Sequence, residues 1–483
     1  MFFEGIAVTH RHIHFVGIGG IGMSGLAEIL LNLGYEVSGS DLRSTPITER
    51  LESLGAKISE GHEAGHIGSA DAVVVSSAIQ KSNPERAAAV AVSIPIIQRG
   101  ELLAELMRLK YGIAIAGSHG KTTTTSMTAA VLHSAGKDPT VVVGGRVDSM
   151  GSNARLGKSN LLLAEADESD GSFLRLAPIL AVITTLDQEH LDHYGTYGAL
   201  VDGFVEFANK VPFYGAALLG IDDPEVRSLI PRIQKPVRTY GTSPDADLVA
   251  SEITFGHTAS RFRLTFRGED LGWFEVNSLG EHNVRNAVAA VLVGLELGMA
   301  ADAIRDGLRS FSGVDRRFQT RGSEAGVTVI DDYGHHPTEI AATLAAAKVS
   351  AFDRVLVVFQ PHRYTRTATL MDEFAACFGD CDRLFVVDIY SAGEEPIEGV
   401  NAEELTRRIR KHGKPAVQYS ATMDAAVEGA VAAAQQGDVI VTLGAGNISQ
   451  AGPRLLERLA AQGAKAQGAA VRGAGVRTPQ ESS

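Results

Sequence analysis

Short apolar runs alternate with helical stretches along most of the chain. Residues His12–Val16 form an apolar run, glycines follow it closely, and a helix is then predicted with Met23, Leu26, Leu30 and Leu33 on one face. A buried strand that passes through a tight turn into an amphipathic helix is typical of a βαβ unit. The alternation therefore predicts an α/β fold built on parallel, doubly wound sheets.

The same alternation restarts twice further along the chain. A strand at Gly112–Ala116 enters a second glycine-rich loop, and between Val249 and Val276 the pattern changes to short alternating strands. More strands separated by helices follow residue 320, and a chain of this length forms more than one core. We predict three domains and a mobile tail: an N-terminal Rossmann-like domain at 1–107, a central parallel-sheet domain with a small antiparallel subdomain at 108–320, a C-terminal Rossmann-like domain at 321–463, and the tail at 464–483.

Charge and composition exclude several classes of protein. The formal net charge of the 483 residues is -13, which disfavours binding to nucleic acid. The cysteines Cys377 and Cys381 lie in an apparently amphipathic helix, where packed side chains are expected rather than metal ligands. No stretch approaches the ~18 apolar residues of a membrane span, and the N-terminus lacks the pattern of a secretory signal. We expect a cytoplasmic protein, a monomer or homodimer, without membrane partners.

The second glycine loop carries the most specific signal. The segment GSHGKTTTT directly follows an apolar strand and leads into a helix. Glycines let successive N–H groups face phosphate oxygens, a lysine reaches the β and γ phosphates, and a hydroxyl can bind Mg²⁺. The alternative is a glycine-rich turn with an exposed lysine, since Ile115 replaces the first glycine of the common pattern. We predict a P-loop ATPase-like domain that binds ATP through Gly117, Ser118, His119, Gly120, Lys121, Thr122 and Thr123.

Acidic residues follow two further strands of the central domain. Carboxylate oxygens are the donors that Mg²⁺ prefers, and the ends of neighbouring parallel strands meet at one edge of a sheet. A single acidic cluster is commonly a solvated loop, but two clusters after two strands favour a metal site. The clusters are Glu165, Asp167, Glu168 and Asp170, and Asp187, Glu189, His190, Asp192 and His193.

The first glycine loop has two interpretations. Gly17, Gly19 and Gly22 fit the pattern G-x-G-x-x-G, and Asp41 follows at the spacing of a dinucleotide-binding fold, which by itself indicates NAD. The same backbone N–H groups would hold any diphosphate. Because the chain has a separate triphosphate loop, we favour a diphosphate-bearing substrate, and an NAD-dependent dehydrogenase remains the alternative.

At this point the chain resembles the Mur ligases over nearly its whole length. The segments that carry the resemblance are HFVGIGGIGMSGLAEIL, SGSD, VSSAI and RGELLAELMR; AGSHGKTTTT, AEADESDGSF, EHLDHYG and LGEHNVRNA; and DDYGHHPTEI, FQPHRYTRT, YSAGEEPIEG and LGAGNI. The resemblance implies an ATP-dependent ligase that joins L-alanine to the carboxylate of UDP-N-acetylmuramate through an acyl phosphate. A muramyl-peptide recycling ligase of the same family is the alternative.

The resemblance also implies roles in the first two domains. Lys121 and His190 would be catalytic, and Thr122, Glu165 and His190 would bind Mg²⁺. Asn283 and Asn286 would lie near adenine, although Asn283 could instead cap a helix, and Arg316 would contact phosphate or form a hinge salt bridge. The UDP-sugar would be bound by Gly17, Gly19, Gly20, Gly22, Ser40, Asp41, Ser76 and Ser77.

In the last domain the resemblance implies a site for the amino acid. Arginine suits a carboxylate or phosphate because its guanidinium binds two oxygens at once. His335, His336 and Glu339 superficially suggest zinc, but Ile340 stands where that pattern needs a histidine, so zinc is disfavoured. The amino-acid site would comprise Tyr333, His335, His362, Arg363 and Arg366, of which His335, Arg363 and Arg366 would be catalytic.

Overall fold

A computed structural model of the chain describes residues 12–76, 78–147, 152–189, 191–256, 258–350, 352–413 and 415–474. The chain forms two compact units: the first comprises residues up to 254, 261–277 and 282–315, and the second comprises 255–260, 278–281 and 316 onward. The predicted boundary at residue 320 falls inside a strand of the second unit, Gln319–Glu324, and therefore belongs before Arg316. The predicted boundary at residue 107 lies within the first unit and stays a prediction.

The first sheet is parallel and has the strand order β3-β2-β1-β4-β5. The strand predicted at His12–Val16 is confirmed. Its strands are β1 His12–Val16, β2 Glu36–Asp41, β3 Lys57–Glu60, β4 Ala72–Val75 and β5 Ile96–Gln98, and its helices are α1 Ile21–Asn32, α2 Pro46–Ser53, α3 Pro84–Ala91 and α4 Arg99–Arg108.

A ten-stranded sheet follows in the same unit, with the order β15-β14-β13-β12-β11-β10-β6-β9-β7-β8. The predicted small subdomain corresponds to β13, β14 and β15, which are continuous with this sheet at one edge because β12 pairs with β13. The strands are β6 Tyr111–Ala116, β7 Thr140–Val147, β8 Ser152–Arg155, β9 Leu161–Glu165, β10 Leu180–Ile183, β11 Ala216–Gly220, β12 Val237–Gly241, β13 Leu248–Phe255, β14 Ser260–Phe266 and β15 Glu269–Val276; the helices are α5 Lys121–Ser134, α6 Leu191–Tyr194, α7 Tyr197–Ala208, α8 Pro224–Ser228, α9 Glu281–Glu296 and α10 Ala301–Ser310.

One hydrophobic cluster joins the two sheets of the first unit. Met23 and Leu26 of α1 and Met107 of α4 pack in the same buried cluster as Leu162 of β9 and Phe173. Each such side chain stabilises the unit by about 1.5–3 kcal/mol relative to exposure to water. Both glycine loops therefore lie on one packed body.

The second unit contains a six-stranded sheet with the order β16-β17-β21-β18-β19-β20. Of the five neighbouring strand pairs in this sheet, β16 and β17 pair antiparallel and the other four pairs are parallel. Its strands are β16 Gln319–Glu324, β17 Val327–Asp332, β18 Val355–Phe359, β19 Arg383–Val386, β20 Ala416–Tyr419 and β21 Val439–Leu443; its helices are α11 Pro337–Val349, α12 Tyr364–Thr369, α13 Met371–Ala376, α14 Ala402–Lys411, α15 Met423–Ala433 and α16 Ala451–Ala474.

Helices cover both faces of this sheet. Residues of α11, α13 and α14 share one buried cluster with the sheet, and residues of α15 and α16 share the other. Strand β21 lies between β17 and β18, but the helix that follows β21 packs on the opposite face from the helices that follow its two neighbours. The chain after β21 therefore diverges from the chains beside it and leaves a crevice at the carboxyl ends of these strands, where open α/β sheets bind ligands.

The structure corrects two smaller predictions, on the tail and on the cysteines. Helix α16 continues to Ala474, so residues 464–474 of the predicted mobile tail are helical, and residues 475–483 lie outside the described part of the chain. The two cysteines follow α13 rather than lie within it; Cys381 is buried, Cys377 is half-buried, and burial raises the pKa of both thiols. None of the helices in the described ranges is long and apolar enough to cross a membrane.

Candidate active site

The second glycine loop has the predicted position between β6 and α5. Gly117 has φ 130° and Gly120 has φ 80°, and both lie against neighbouring side chains. A β-carbon at Gly117 would lie 2.2 Å from Oγ1 of Thr184, and one at Gly120 would lie 2.5 Å from Oδ1 of Asn286. Because only glycine fits both the conformation and the space, the loop holds its backbone N–H groups close around the start of α5.

The side chain of Lys121, the first residue of α5, folds back into this loop. Its ammonium donates to the carbonyl oxygens of Gly117 at 2.5 Å and Ser118 at 3.1 Å, and lies 2.7 Å from Oε1 of Glu168. The Glu168 side chain is 1% exposed, and burial raises its pKa to about 7 although the neighbouring lysine charge opposes this. The alternative of an exposed lysine in a glycine-rich turn is therefore wrong.

Thr122 and Glu165 lie together beside the lysine. The hydroxyl of Thr122 is 3.0 and 3.1 Å from the two carboxylate oxygens of Glu165, at the end of β9. Hard oxygen donors this close fit the requirements of Mg²⁺, so the residues present are compatible with the predicted metal. His190, the third predicted ligand and a predicted catalytic residue, lies outside the described residues, as does Ser77.

The acidic cluster after β10 contacts the same loop. The hydroxyl of Ser118 accepts from the N–H of Asp187 at 2.8 Å, and Nε2 of His119 lies 3.2 Å from the Asp187 carboxylate. The N–H of His119 donates to the hydroxyl of Thr185 at 3.0 Å. The ends of β6, β9 and β10 thus meet at one edge of the sheet, as the sequence predicted.

The two predicted asparagines support the loop from α9. Oδ1 of Asn286 accepts from the hydroxyl of Thr124 at 3.2 Å, and its Nδ2 donates to Oδ1 of Asn283 at 3.2 Å. Both asparagines are buried, and α9 begins at Glu281, so the helix-cap interpretation of Asn283 is wrong. Contact with adenine stays a prediction.

The first glycine loop joins β1 to α1. Gly17 has φ 77°, and the N–H groups of Gly17 and Ile18 both donate to the carbonyl of Ser40 at 2.9 Å. The N–H of Gly19 donates to the carboxylate of Asp41 at 2.8 Å. Gly20 is the residue before α1 and Gly22 lies in its first turn. The structure therefore brings the predicted glycines together with Ser40 and Asp41 at the end of β2.

Ser40 and Ser76, two further residues predicted for the UDP-sugar site, lie at the same edge of the sheet as this loop. The hydroxyl of Ser40 donates to the buried carboxylate of Glu85 at 2.8 Å, so it is engaged by the fold. Ser76 is half-buried directly after β4, at the same edge of the sheet. Their contact with a UDP-sugar stays a prediction.

Arg99 connects the first glycine loop to the acidic cluster after β9, and sequence reasoning missed it. Its guanidinium lies 3.1 Å from the carboxylate of Asp167, and a β-carbon at Gly22 would lie 3.0 Å from Cδ of Arg99. Burial opposes the ionisation of Asp167, but hydrogen bonds from Ser169 and the charges of Arg99 and Lys121 lower its pKa overall. The available signal was a cation directly after strand β5, at the sheet edge where ligands bind.

In the second unit, the predicted amino-acid residues form a chain of ring contacts. The rings of Tyr333 and His335 lie 5.2 Å apart, those of His335 and His362 lie 5.9 Å apart, and His362 stacks on Tyr390 at 5.5 Å with an angle of 10°. The guanidinium of Arg366 lies 3.4 Å from Nδ1 of His362. Since arginine only donates, this ring nitrogen is the acceptor.

The pKa of His362 and the backbone conformation of Arg363 are both unusual at this site. Burial, followed by the charges of His335, Arg366 and Arg363, lowers the pKa of His362 to about 4. Arg363 has φ 72°, a left-handed conformation that costs a side-chain-bearing residue about 1–3 kcal/mol. Strain of this size is commonly retained where a side chain must point at a ligand.

Arg316 and Glu339 have structural partners. The guanidinium of Arg316 lies 3.2 Å from the carboxylate of Asp331, donates to the carbonyl of Gly444 at 2.5 Å and sits over the ring of Tyr333. The salt-bridge interpretation of Arg316 is therefore supported, and its contact with phosphate stays a prediction. The carboxylate of Glu339 accepts from the N–H groups of His335 and His336, at 3.0 and 3.3 Å, and so caps α11.

Family models match three consecutive parts of this chain. The model described as Mur ligase family, catalytic domain matches residues 12–111, the Mur ligase middle domain matches 115–294, and the Mur ligase, glutamate ligase domain matches 316–446. The chain belongs to the Mur ligase family. As a Mur ligase it is an ATP-dependent ligase, so the dehydrogenase interpretation of the first glycine loop is wrong.

Relatives and solved structures agree with this assignment. A UDP-N-acetylmuramate–L-alanine ligase of Solibacter usitatus is 59% identical over 94% of this chain and 96% of the relative, and one of Koribacter versatilis is 57% identical over 94% and 98%. The crystal structure of the UDP-N-acetylmuramate-alanine ligase MurC from Thermotoga maritima matches with a TM-score of 0.78 at 28% identity, covering 93% of this chain and 99% of that one. The predicted three-domain α/β fold of this Mur ligase is thereby confirmed.

A murein peptide ligase from Psychrobacter arcticus is also similar. Its structure matches with a TM-score of 0.66 at 26% identity, covering 93% of this chain and 99% of that one. The murein peptide ligase and the UDP-N-acetylmuramate-alanine ligase thus share one fold with this chain.

Proposed function

We propose that this Mur ligase joins L-alanine to the carboxylate of UDP-N-acetylmuramate, with ATP converted to ADP and phosphate, in peptidoglycan precursor synthesis. The observation that supports this most directly is that eight relatives with this name are 52–59% identical over 92–94% of the chain. The solved murein peptide ligase and the solved alanine ligase match at 26% and 28% identity, so the relatives at 52–59% identity are the reason that we favour the alanine-adding reaction over the recycling reaction.

Each predicted domain would bind one substrate. The loop at Gly17–Gly22 would hold the diphosphate of the UDP-sugar, and the loop at Gly117–Lys121 would hold ATP. Arg363 and Arg366 would bind the carboxylate of L-alanine or the acyl phosphate, since a guanidinium binds two oxygens at once. We place the domains at 1–107, 108–315 and 316–474.

In the first step the substrate carboxylate attacks the γ phosphoryl group of ATP, and an acyl phosphate forms while ADP leaves. Repulsion between the carboxylate and the triphosphate is the main electrostatic obstacle. Mg²⁺, held by Thr122 and Glu165 with His190, would supply positive charge there. Lys121 would exchange Glu168 for phosphate oxygens, and the loop N–H groups would bind the remaining charge.

In the second step the amine of L-alanine attacks the acyl carbon, and a tetrahedral intermediate releases phosphate. Catalysis would depend on positioning rather than on a protein nucleophile. His362 is neutral at physiological pH because its pKa is lowered to about 4, so it would orient Arg366 through Nδ1 without adding a charge. His335 lies against His362 and would complete the wall of the site.

The decisive experiment measures ADP release with UDP-N-acetylmuramate, ATP and Mg²⁺ across a panel of amino acids and the muramyl tripeptide. We expect L-alanine to stimulate release, with the amide product identified by mass spectrometry. Hydroxylamine should trap an acyl phosphate that forms only with both nucleotides. Stimulation by a tripeptide instead of L-alanine would establish the recycling reaction.

A variant of the nucleotide loop provides the matched control. Lys121→Met keeps an unbranched side chain but removes the ammonium, so we expect loss of turnover with retention of the fold. Substantial ligation by this variant would contradict the proposed role of Lys121. We also propose that the protein is located in the cytoplasm. In solution it would be a monomer or a homodimer, and light scattering would distinguish these two oligomeric states.

A further inference from the structure

The side-chain oxygen of Gln360 is buried without a hydrogen-bond partner among the residues that the structure describes. Gln360 is 7% exposed and directly follows β18. Its backbone N–H donates to the carbonyl of Leu443 at 3.0 Å, so the unsatisfied atom is the side-chain oxygen. A buried acceptor left unsatisfied costs about 1–3 kcal/mol, and such atoms are rare in folded proteins unless a ligand or water serves them.

The oxygen lies in the crevice at the carboxyl ends of β18 and β21. A β-carbon at Gly446 would lie 2.5 Å from this oxygen and 2.8 Å from Cγ of Tyr390. The loop after β21 therefore needs glycine at this position to leave Gln360 and Tyr390 in place. The crevice is where the chain after β21 diverges from its neighbours, which is the position at which open α/β sheets bind ligands.

Tyr390 connects this oxygen to the arginines of the amino-acid site. The ring of His362 stacks on the ring of Tyr390. The backbone carbonyl of Tyr390 accepts a hydrogen bond from the N–H of Arg363 at 2.8 Å. Arg366 contacts His362 in turn. The buried acceptor and the guanidinium groups therefore lie near one another at the carboxyl end of β18, joined by the contacts of Tyr390 and His362.

We propose that the side-chain oxygen of Gln360 accepts a hydrogen bond from the amine of the incoming amino acid. The inference rests on the proposed function, in which the amine is the nucleophile and the only N–H donor of that substrate. Arginine binds the carboxylate end, and an acceptor at the other end fixes the direction of the amine. Gln360 would thus be a binding residue that orients the amine of the incoming amino acid for attack.

Gln360→Leu tests the proposal because it keeps the approximate volume and removes the acceptor. We expect the KM for L-alanine to rise about tenfold or more while the KM values for ATP and UDP-N-acetylmuramate stay unchanged. Gln418→Leu, on the exposed side of β20, is the matched control and should leave all three values unchanged. Gln360→Glu retains an oxygen of the same reach and should recover much of the alanine affinity.

Gly446→Ala provides a second route if Gln360→Leu does not fold. The added methyl group would displace the oxygen without removing it, so the same selective rise in the KM for L-alanine is expected. An unchanged KM for L-alanine in Gln360→Leu would overturn the inference, as would an equal rise for all three substrates. Failure of the wild-type protein to respond to L-alanine would instead contradict the proposed function itself.

Discussion

The ammonium of Lys121 lies 2.7 Å from a carboxylate oxygen of Glu168 and donates to two carbonyl oxygens of its own loop. A lysine ammonium has three N–H donors, and these three contacts use all of them. In this arrangement Lys121 must give up at least one contact before it can bind a phosphate oxygen. We therefore expect Glu168 to act as a counter-charge that nucleotide binding replaces.

Glu168→Gln should make the protein depend more strongly on ATP for stability. The substitution keeps an acceptor but removes the charge, so we expect the nucleotide-free protein to lose about 1–3 kcal/mol. Phosphate charge would restore most of this loss when ATP and Mg²⁺ bind. Thermal unfolding should show a larger ATP-induced rise in Tm for Glu168→Gln than for wild type. Glu101→Gln, at a half-exposed ion pair, is the control, and equal ATP-induced shifts would contradict the prediction.

Gly120→Ala should weaken ATP binding by tenfold or more. The new methyl group would meet Oδ1 of Asn286, and φ 80° would remain strained for alanine. Because Asn286→Ala removes the obstruction, Gly120→Ala should cost less ATP affinity in the Asn286→Ala background than in the wild-type background. Calorimetry with a non-hydrolysable ATP analogue measures both. An equal cost of Gly120→Ala in both backgrounds would show that the contact with Asn286 is not the cause.

The nucleotide loop could be predicted from the sequence because its determinants are contiguous. Strand, glycines, lysine, hydroxyl and helix follow one another between Tyr111 and Ser134, and each is a local property. The acidic residues after β9 and β10 could also be placed, since the ends of parallel strands share one edge.

Partners distant in the sequence could not be predicted in the same way. Thr124 and Asn286 are 162 residues apart, and Arg99 and Asp167 are 68 residues apart. Gln360 meets Gly446 only because β21 is inserted between β17 and β18, and strand order is a property of the whole fold. Hydrophobic periodicity predicts which segments are strands but contains little information on their order in the sheet.

Arg99→Met should raise the KM for UDP-N-acetylmuramate about tenfold and leave ATP affinity nearly unchanged. The guanidinium lies beside Gly22 of the first loop, where a diphosphate would gain from its charge. Arg175→Met is the matched control because its ion pair with Glu101 joins the same two predicted domains but is about half-exposed and contributes little. An equal effect of both substitutions would show that Arg99 acts only by holding the domains together.

His362 should make the protein less stable as the pH falls. Its pKa is lowered from 6.5 to about 4 by burial and by His335, Arg366 and Arg363, so the unfolded chain binds the proton more readily than the folded one. The contribution of neutral His362 to the free energy of unfolding is therefore complete above pH 6.5 and is lost as the pH falls towards 4.

His362→Asn tests this pH dependence because asparagine keeps an acceptor for Arg366 but does not titrate. The stability difference between wild type and this variant should change by on the order of 2 kcal/mol between pH 7 and 4, since one pKa unit corresponds to about 1.4 kcal/mol and the ring is only half-buried. Denaturation of both proteins at several pH values measures this difference, in which the other histidines cancel. A difference independent of pH would mean that His362 titrates normally and would remove the argument that it orients Arg366 as a neutral ring.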